Sequence, residues 1–285
     1  VDISLVKRND TVLTLNDKNE IEINGVYRKI EEYYNGNLIL LKHKFLNDKV
    51  TELHKFPVYD INMNFKGFWT AKEIHEKTVE DAENLYLLKT ANWKGKKTRE
   101  YDVKGLNNDE MTHTDIQKFA EDSEYNISLW AKFIALFITK GKFKDNCIEF
   151  KIKNVEVCTV IENIFKEMGL DYSVRTTEFR SFVYTVYDLR LFKHIKLQTN
   201  RRRKGIPLEI KKANIDVLKA FIESFLIFYH DRCFDFIHKT GFIVLRDEKL
   251  AFDINEILFK IGFSAKIKKL GCFFVVIKIK IFLKN

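Results

Sequence analysis

The chain has 285 residues, 46% of them apolar, with only two prolines and eleven glycines. That suits two packed domains and excludes a linker-rich or disordered protein. Of its 49 basic and 40 acidic side chains, 30 and 20 lie at residue 120 or later, so that part carries +10 of the net +9 and the rest about −1.

From the N-terminus, short β-type runs alternate with turns: Thr11–Leu15, Glu20–Tyr27, Leu38–Lys42, Glu52–Tyr59 and Leu85–Lys89. Asn16-Asp17-Lys18-Asn19 and Asn35-Gly36-Asn37 supply the turn chemistry, so residues 1–118 are expected to form a mostly-β domain.

Asp122, Ser123 and Asn126 offer helix caps and put a boundary near residue 120. From there the order is a helix at 129–140 in the apolar stretch Leu129–Phe143, and strands near 148–153. A helix at 155–168, strands near 171–176 and 182–190, and a helix or turn near 191–197 follow. After the basic segment Asn200-Arg201-Arg202-Arg203-Lys204-Gly205-Ile206-Pro207 the order recurs. It runs helix 215–229 in the stretch Leu218–Asp231, strands near 234–245, helix 248–261, and strands near 264–269 and 272–282. Met168-Gly169-Leu170 and Ile261-Gly262-Phe263 close the second helix of each copy. Chance rarely reproduces a whole order of elements, so residues 119–285 read as a duplication, with repeats at about 125–198 and 207–285.

The excess positive charge sits in the duplicated part, the expected footprint of a polyanion-binding surface, although a lysine-rich proteome would also produce it. Cys147, Cys158, Cys233 and Cys272 form no CxxC pair and no metal-finger spacing, so a reducing intracellular compartment (nuclear or cytoplasmic) is expected. Lys132 and Lys140 interrupt the best apolar run before it reaches the roughly 18–20 residues of a membrane helix, so no membrane partner is expected and no signal peptide is evident.

The duplicated part resembles the LAGLIDADG homing endonucleases of the intein-encoded type. The resemblance is carried by the two apolar helices and by Lys204-Gly205-Ile206-Pro207 ahead of Leu218-Lys219-Ala220-Phe221-Ile222, similar to that family's Lys-x-Ile-Pro block. It implies an α+β fold of two pseudo-symmetric αββαββα units that pack through their first helices, with Ala135 and Ser224 at the small interface positions. Each unit would lay a sheet in the major groove of double-stranded DNA, and the chain would be a monomer with an internal pseudo-dimer. Candidate DNA contacts are Lys142, Lys144, Arg175, Arg180, Arg190, Lys266, Lys268, Lys269, Lys278 and Lys280, with Arg201, Arg202 and Arg203 in the linker. Any one of these is more often a solvated surface charge than a base reader.

The family cuts DNA with one acid at the end of each signature helix, the pair holding Mg²⁺. Counting from Ala135 and Ser224 puts those positions at Lys140 and Tyr229, neither a carboxylate. Asp231 is a metal ligand only if Asp231-Arg232-Cys233-Phe234 is the counterpart of Lys140-Gly141-Lys142-Phe143. Lys204 matches the basic residue the family keeps near its cleavage centre, or is one more phosphate contact. Mg²⁺ is therefore expected only if the nuclease works, and no other cofactor is expected.

The N-terminal part resembles the first half of a Hint domain, the protein-splicing fold, with Asn9-Asp10-Thr11-Val12-Leu13-Thr14 as its opening block. Thr51-Glu52-Leu53-His54 looks like the block that polarises the scissile peptide, and Gly67–Ile74 like the segment after it. The splicing nucleophile would fall on Val6, which has no nucleophilic atom, and Ser4 is two residues out of register. At the other end Lys284-Asn285 replaces the family's His-Asn and no second Hint half precedes it, so that half is expected to be decayed or cut away. The expectation is a chain that binds duplex DNA and neither cuts nor splices. The rivals are a working endonuclease using Asp231, and a structural or interaction protein that kept the fold.

Overall fold

A computed structural model of the chain describes residues 3–43, 46–62, 64–80, 85–87, 91–97, 100–102, 124–178, 180–198, 205–229, 232–235, 240–270 and 274–280. The chain divides into two compact units, residues 1–14 with 23–91 and residues 15–22 with 92–285. The boundary expected at 118/119 lies outside the described residues.

The chain opens with β1 (Thr11–Leu15) and β2 (Glu20–Gly25). Their turn is an Asx turn: Asn16 Oδ1 accepts from the N–H of Lys18 and of Glu20, both at 2.9 Å, and Asn19 adopts φ 58°. The division of the chain runs through this hairpin, and the first unit also holds β3 (Leu38–His43) paired antiparallel to β4 (Leu46–Thr51). Then β5 (Lys55–Tyr59) sits between β6 (Phe65–Thr70), followed by helix α1 (Ala71–Glu80), and β7 (Tyr86–Leu87). The strand expected to begin at Glu52 begins at Lys55, because Thr51–His54 is a turn in which the His54 N–H donates to the Thr51 carbonyl. Helix α1 starts from a capping box: the Thr70 N–H donates to Glu73 Oε2 at 2.6 Å, and Thr70 Oγ1 accepts from the Glu73 N–H.

In the second unit β8 (Asn92–Trp93) runs parallel to β2, and β9 (Glu100–Asp102) pairs with β10 (Glu124–Asn126). The first repeat is then α2 (Ile127–Lys140), β11 (Gly141–Lys144), β12 (Cys147–Ile152), α3 (Val155–Glu167), β13 (Tyr172–Thr176), β14 (Phe182–Val186) and α4 (Leu189–Gln198). A short helix α5 (Leu208–Lys212) leads to the second repeat: α6 (Ile215–Phe228), β15 (Arg232–Asp235), β16 (Thr240–Leu245), α7 (Glu248–Lys260), β17 (Ser264–Leu270) and β18 (Phe274–Lys280). The two sheets have the same strand order, β11-β12-β14-β13 and β15-β16-β18-β17.

The local chemistry is duplicated as well. Asn126 and Asn214 cap α2 and α6, accepting from Leu129 and Val217 N–H groups at the third helical position. Asn154 and Asp247 cap α3 and α7. Both of these helices end on a glycine in the left-handed region, Gly169 (φ +63°) and Gly262 (φ +91°). The next N–H reaches back five residues, from Leu170 to the Phe165 carbonyl and from Phe263 to the Leu258 carbonyl, as a Schellman motif requires. Between β11 and β12 the two-residue turn Asp145-Asn146 has both φ values positive (44° and 62°), the twist that closes a right-handed hairpin.

The repeats meet through α2 and α6, the most extensive contact between any two elements among the described residues. Nine of the fourteen residues of α2 are buried, in keeping with its largely apolar sequence, and Ser128, Lys132 and Thr139 share its one polar face. Ala131 and Ala135 are buried completely and Ser224 nearly so. The core of the first repeat is aromatic: Phe133, Phe150 and Phe165 pack with centroids 5.5–6.3 Å apart, and Tyr184 joins them while donating its hydroxyl to Glu162 at 2.7 Å. No described helix is long and apolar enough to cross a membrane.

Candidate nucleic-acid interface

The ends of α2 and α6 are fixed by matching caps. The Gly141 N–H donates to the Phe137 carbonyl and the Tyr229 N–H to the Phe225 carbonyl. Together with the asparagine caps this pairs Phe133 with Phe221, Phe137 with Phe225, and Lys140 with Phe228. The sequence count that paired Lys140 with Tyr229 and Ala135 with Ser224 is therefore one residue late. On the strand side, Gly141 opposes Phe150 and Arg232 opposes Ile243, residues that stand equally far ahead of Gly169 and Gly262. By that measure Gly141 matches Arg232, so the helix-to-strand junction of the second repeat is three residues longer, Tyr229 to residue 231. Asp231 falls in it, outside the described residues.

A magnesium ion would need hard oxygen donors here. The described helix ends offer Lys140, Phe228 and Tyr229, and the Tyr229 hydroxyl is committed to the Val244 carbonyl. These residues do not fit a divalent cation. Asp145 sits in the β11–β12 turn, and Glu149 lies on the sheet. No group of three His, Cys, Asp or Glu side chains able to hold a metal occurs among the described residues.

The sheets turn one face to the helices. In the first sheet Ile148, Phe150 and Ile152 are buried on that face, so Cys147, Glu149 and Lys151 point the other way. Strand register carries this outward row across the sheet as Lys142, Glu149, Thr185 and Ser173, with Lys144, Lys151 and Arg175 beside it. Lys142, Lys144, Lys151, Ser173 and Arg175 are exposed. Glu149 Oε1 accepts from Lys144 Nζ at 3.2 Å and from an Arg175 guanidinium nitrogen at 3.3 Å. In the second sheet Ile243 and Leu245 are buried, and the strand positions that alternate with them include Lys268 and, by register, Lys266 paired with Lys278 and Ser264 paired with Lys280.

Most of the expected contacts therefore share two sheet faces. Three do not. Arg180 is exposed in the β13–β14 turn with φ 52°. Lys269 alternates onto the helix side, 3.8 Å from Glu248. Arg190 is buried at the start of α4, where its guanidinium approaches the Tyr125 hydroxyl at 3.5 Å and Asp188 at 3.9 Å. Arg201, Arg202, Arg203 and Lys204 lie outside the described residues. The sequence reading missed Lys151 and the place of Glu149 in the row; the alternation of Cys147–Ile152 carried that signal. In the first unit Thr51 ends β4 and His54 is exposed, its ring 4.8 Å from that of Phe56.

The residues after the basic linker are locked down. The Ile206 N–H donates to Asp253 Oδ2 at 3.0 Å, and Lys211 Nζ reaches Asp253 at 3.0 Å and Glu256 at 3.1 Å. Burial works against the charge of Lys211, but Glu256 and Asp253 outweigh it and hold the ammonium above its ordinary range. Lys260 has a fully buried side chain that donates to the Lys211 carbonyl at 2.7 Å and lies 4.2 Å from the Trp93 ring centroid. Burial pulls its ammonium down despite Glu256. Trp93 Nε1 in turn donates to the Ala213 carbonyl at 2.7 Å.

No family model and no curated protein matches the chain. Among solved structures it is similar to the N-terminal LAGLIDADG domain of DUF199/WhiA, at 14% identity over 53% of this chain and 75% of that one, with a TM-score of 0.38. It is also similar to I-DmoI in complex with DNA and Mn, at 16% identity over 54% of this chain and 90% of that one, with a TM-score of 0.40. Full-length DUF199/WhiA from Thermatoga maritima is 13% identical over 54% of this chain and 51% of that one, with a TM-score of 0.38. A likeness at this level fixes neither ligand nor activity.

Proposed function

We propose that the duplicated unit binds double-stranded DNA on the outward faces of its two sheets and does not cut it. The observation that carries this reading is the lysine and arginine content of two equivalent sheet faces: Lys142, Lys144, Lys151 and Arg175 on one, Lys266, Lys268, Lys278 and Lys280 on the other. A twisted sheet is a shape that enters a major groove, and cations along it neutralise the flanking phosphates. Arg201–Arg203 and Lys204 extend the charge into the linker. Thr51, His54 and Val6 belong to a Hint-like remnant without splicing chemistry, since valine supplies no nucleophile.

Loss of cleavage follows from the helix ends, where Lys140 takes the place of one acid and Phe228 or Tyr229 of the other. A cation there contacts a phosphate directly and keeps binding without hydrolysis. The rival is a working nuclease, and one observation favours it: counted from the strands, Asp231 stands where Lys140 does. One carboxylate is still not a pair.

An electrophoretic shift with random-sequence duplex, repeated across a salt series, tests the binding. If six to ten phosphates are contacted, affinity falls about 10³–10⁵-fold between roughly 50 and 200 mM salt. Salt-independent binding, or none at low salt, overturns the reading. Specific double-strand breaks in Mg²⁺ or Mn²⁺ that vanish in Asp231→Asn overturn the loss of cleavage alone.

A further inference from the structure

The two sheet faces carry similar charge but differ at their centres. In the first, the middle row reads Lys142, Glu149, Thr185, Ser173 across the strands. Equal spacing to Gly169 and Gly262 makes Phe242 the counterpart of Glu149, and the second row reads Cys233, Phe242, Lys278, Lys266. One centre is an acid between a lysine and a threonine. The other position is a phenylalanine between a cysteine and a lysine.

An acid in the middle of a phosphate-binding face opposes that function unless it does something else. Glu149 is held in place by two cations rather than solvated: Lys144 and Arg175 both bind its Oε1, and its side chain is 20% exposed against 53% and 60% for theirs. Its Oε2 accepts no hydrogen bond from any described residue, while its neighbours on the row, Lys142, Thr185 and Ser173, all present hydrogen-bonding groups. The carboxylate is thus held at an outward strand position, partly neutralised, and left with one oxygen that accepts from no described residue.

We infer that Glu149 is a specificity-determining residue of the first sheet, whose free oxygen accepts the exocyclic amino group of a cytosine in the major groove. This rests on the DNA-binding reading and extends it to one base pair. Among base edges in that groove only the amino groups of cytosine and adenine donate, and a carboxylate is the acceptor suited to cytosine. Guanine and thymine there would present acceptor oxygens to a carboxylate, which repels them. The same carboxylate restrains Lys144 and Arg175 on unrelated sequences, because each must leave Glu149 to reach a phosphate. With Phe242 in the equivalent place, the second sheet lacks this contact, so the preferred site has no twofold symmetry at that position.

The test is selection of bound duplexes from a randomised library by the full chain and by Glu149→Gln, with circular dichroism to check that both are folded. The wild-type chain is expected to enrich a site with an invariant cytosine in one half only. In the variant the preference at that position falls by about tenfold or more, while affinity for random duplex rises and its salt dependence steepens, because two cations are released. Enrichment of the same cytosine by both proteins overturns the role of Glu149 and leaves DNA binding intact. Binding by the wild type with no base preference does the same. Failure of both proteins to bind any duplex at low salt overturns the DNA-binding reading itself.

Discussion

The two repeats have side-chain caps at the same positions, the same Schellman turns and the same sheet order, yet their second helices have different surfaces. In α7 the charged residues Asp253 and Lys260 are buried and tied to the 205–213 segment and to Trp93. The equivalent positions of α3, counted from the glycines, are Val160 and Glu167, half-buried and exposed. Duplication sets the skeleton, and each helix face then takes the composition demanded by whatever covers it. Buried lysines and acids on α7 exist because a segment of backbone lies on them and offers partners.

The largest expected effect breaks that difference. Asp253→Ala leaves Lys211 with one acid instead of two and orphans the Ile206 N–H, which costs about 3–5 kcal/mol as for other buried pairs deprived of one partner. Val160→Ala, the matching change in the first repeat, removes two methyl groups from a half-buried site and costs at most about 1.5 kcal/mol. Chemical denaturation of both variants measures the contrast, and equal losses would mean that the network on α7 holds nothing down.

Next in size is the helix-to-strand junction. A Cβ on Gly141 would stand 2.4 Å from Phe137 Cδ2 and 2.8 Å from the Phe137 carbonyl oxygen. Gly141→Ala is expected to cost about 1–3 kcal/mol through overpacking. The cap-equivalent residue of the second repeat is Tyr229, which carries a side chain there, its ring stacked on Phe225 at 5.3 Å. A Gly141→Ala chain as stable as the wild type would erase this distinction. The Schellman glycines sharpen the comparison from the other side, because a Cβ on Gly169 or Gly262 meets nothing within 4 Å. Only the left-handed backbone penalises alanine, by roughly 1–2 kcal/mol at each site. The two losses should agree; a large disparity would show that the repeats are not equivalent at this turn.

The duplication and the order of its elements were legible because period-3.6 and period-2 patterns alternate cleanly there and both copies end a helix on glycine. The register of α6 was harder. Aligning the small residues Ala135 and Ser224 competes with aligning Phe133 and Phe137 on Phe221 and Phe225, and the caps decide for the aromatics. Helix α1 went unseen because its apolar face is short, although Thr70 and Glu73 spelled out a capping box. Arg190 looked like a surface cation because nothing local reveals Tyr125, sixty-five residues earlier in the chain, as its neighbour. The centre of the candidate interface depended on strand pairing: alternation alone put Glu149 outward, but only register brought Lys144 and Arg175 to it.

The smallest effect probes the one cap at which the repeats differ in charge. Asn154 and Asp247 occupy the same position; Asn154 accepts from the Glu156 N–H at 2.9 Å and Asp247, a carboxylate, from the Leu250 N–H at 2.8 Å. As hydrogen-bond acceptors at a cap, asparagine and aspartate are nearly equivalent, and replacing either by alanine costs about 1 kcal/mol. The added anion interacts favourably with the helix N-terminus by about 0.3–1 kcal/mol when salt is low. Asn154→Asp should therefore stabilise the first repeat slightly and Asp247→Asn destabilise the second by a similar amount, with both effects shrinking as salt is added. Thermal melts at two ionic strengths read this directly. If the two swaps shifted stability in the same direction, the caps would be answering to their surroundings rather than to a shared helix geometry, and the equivalence of α3 and α7 would end at the backbone.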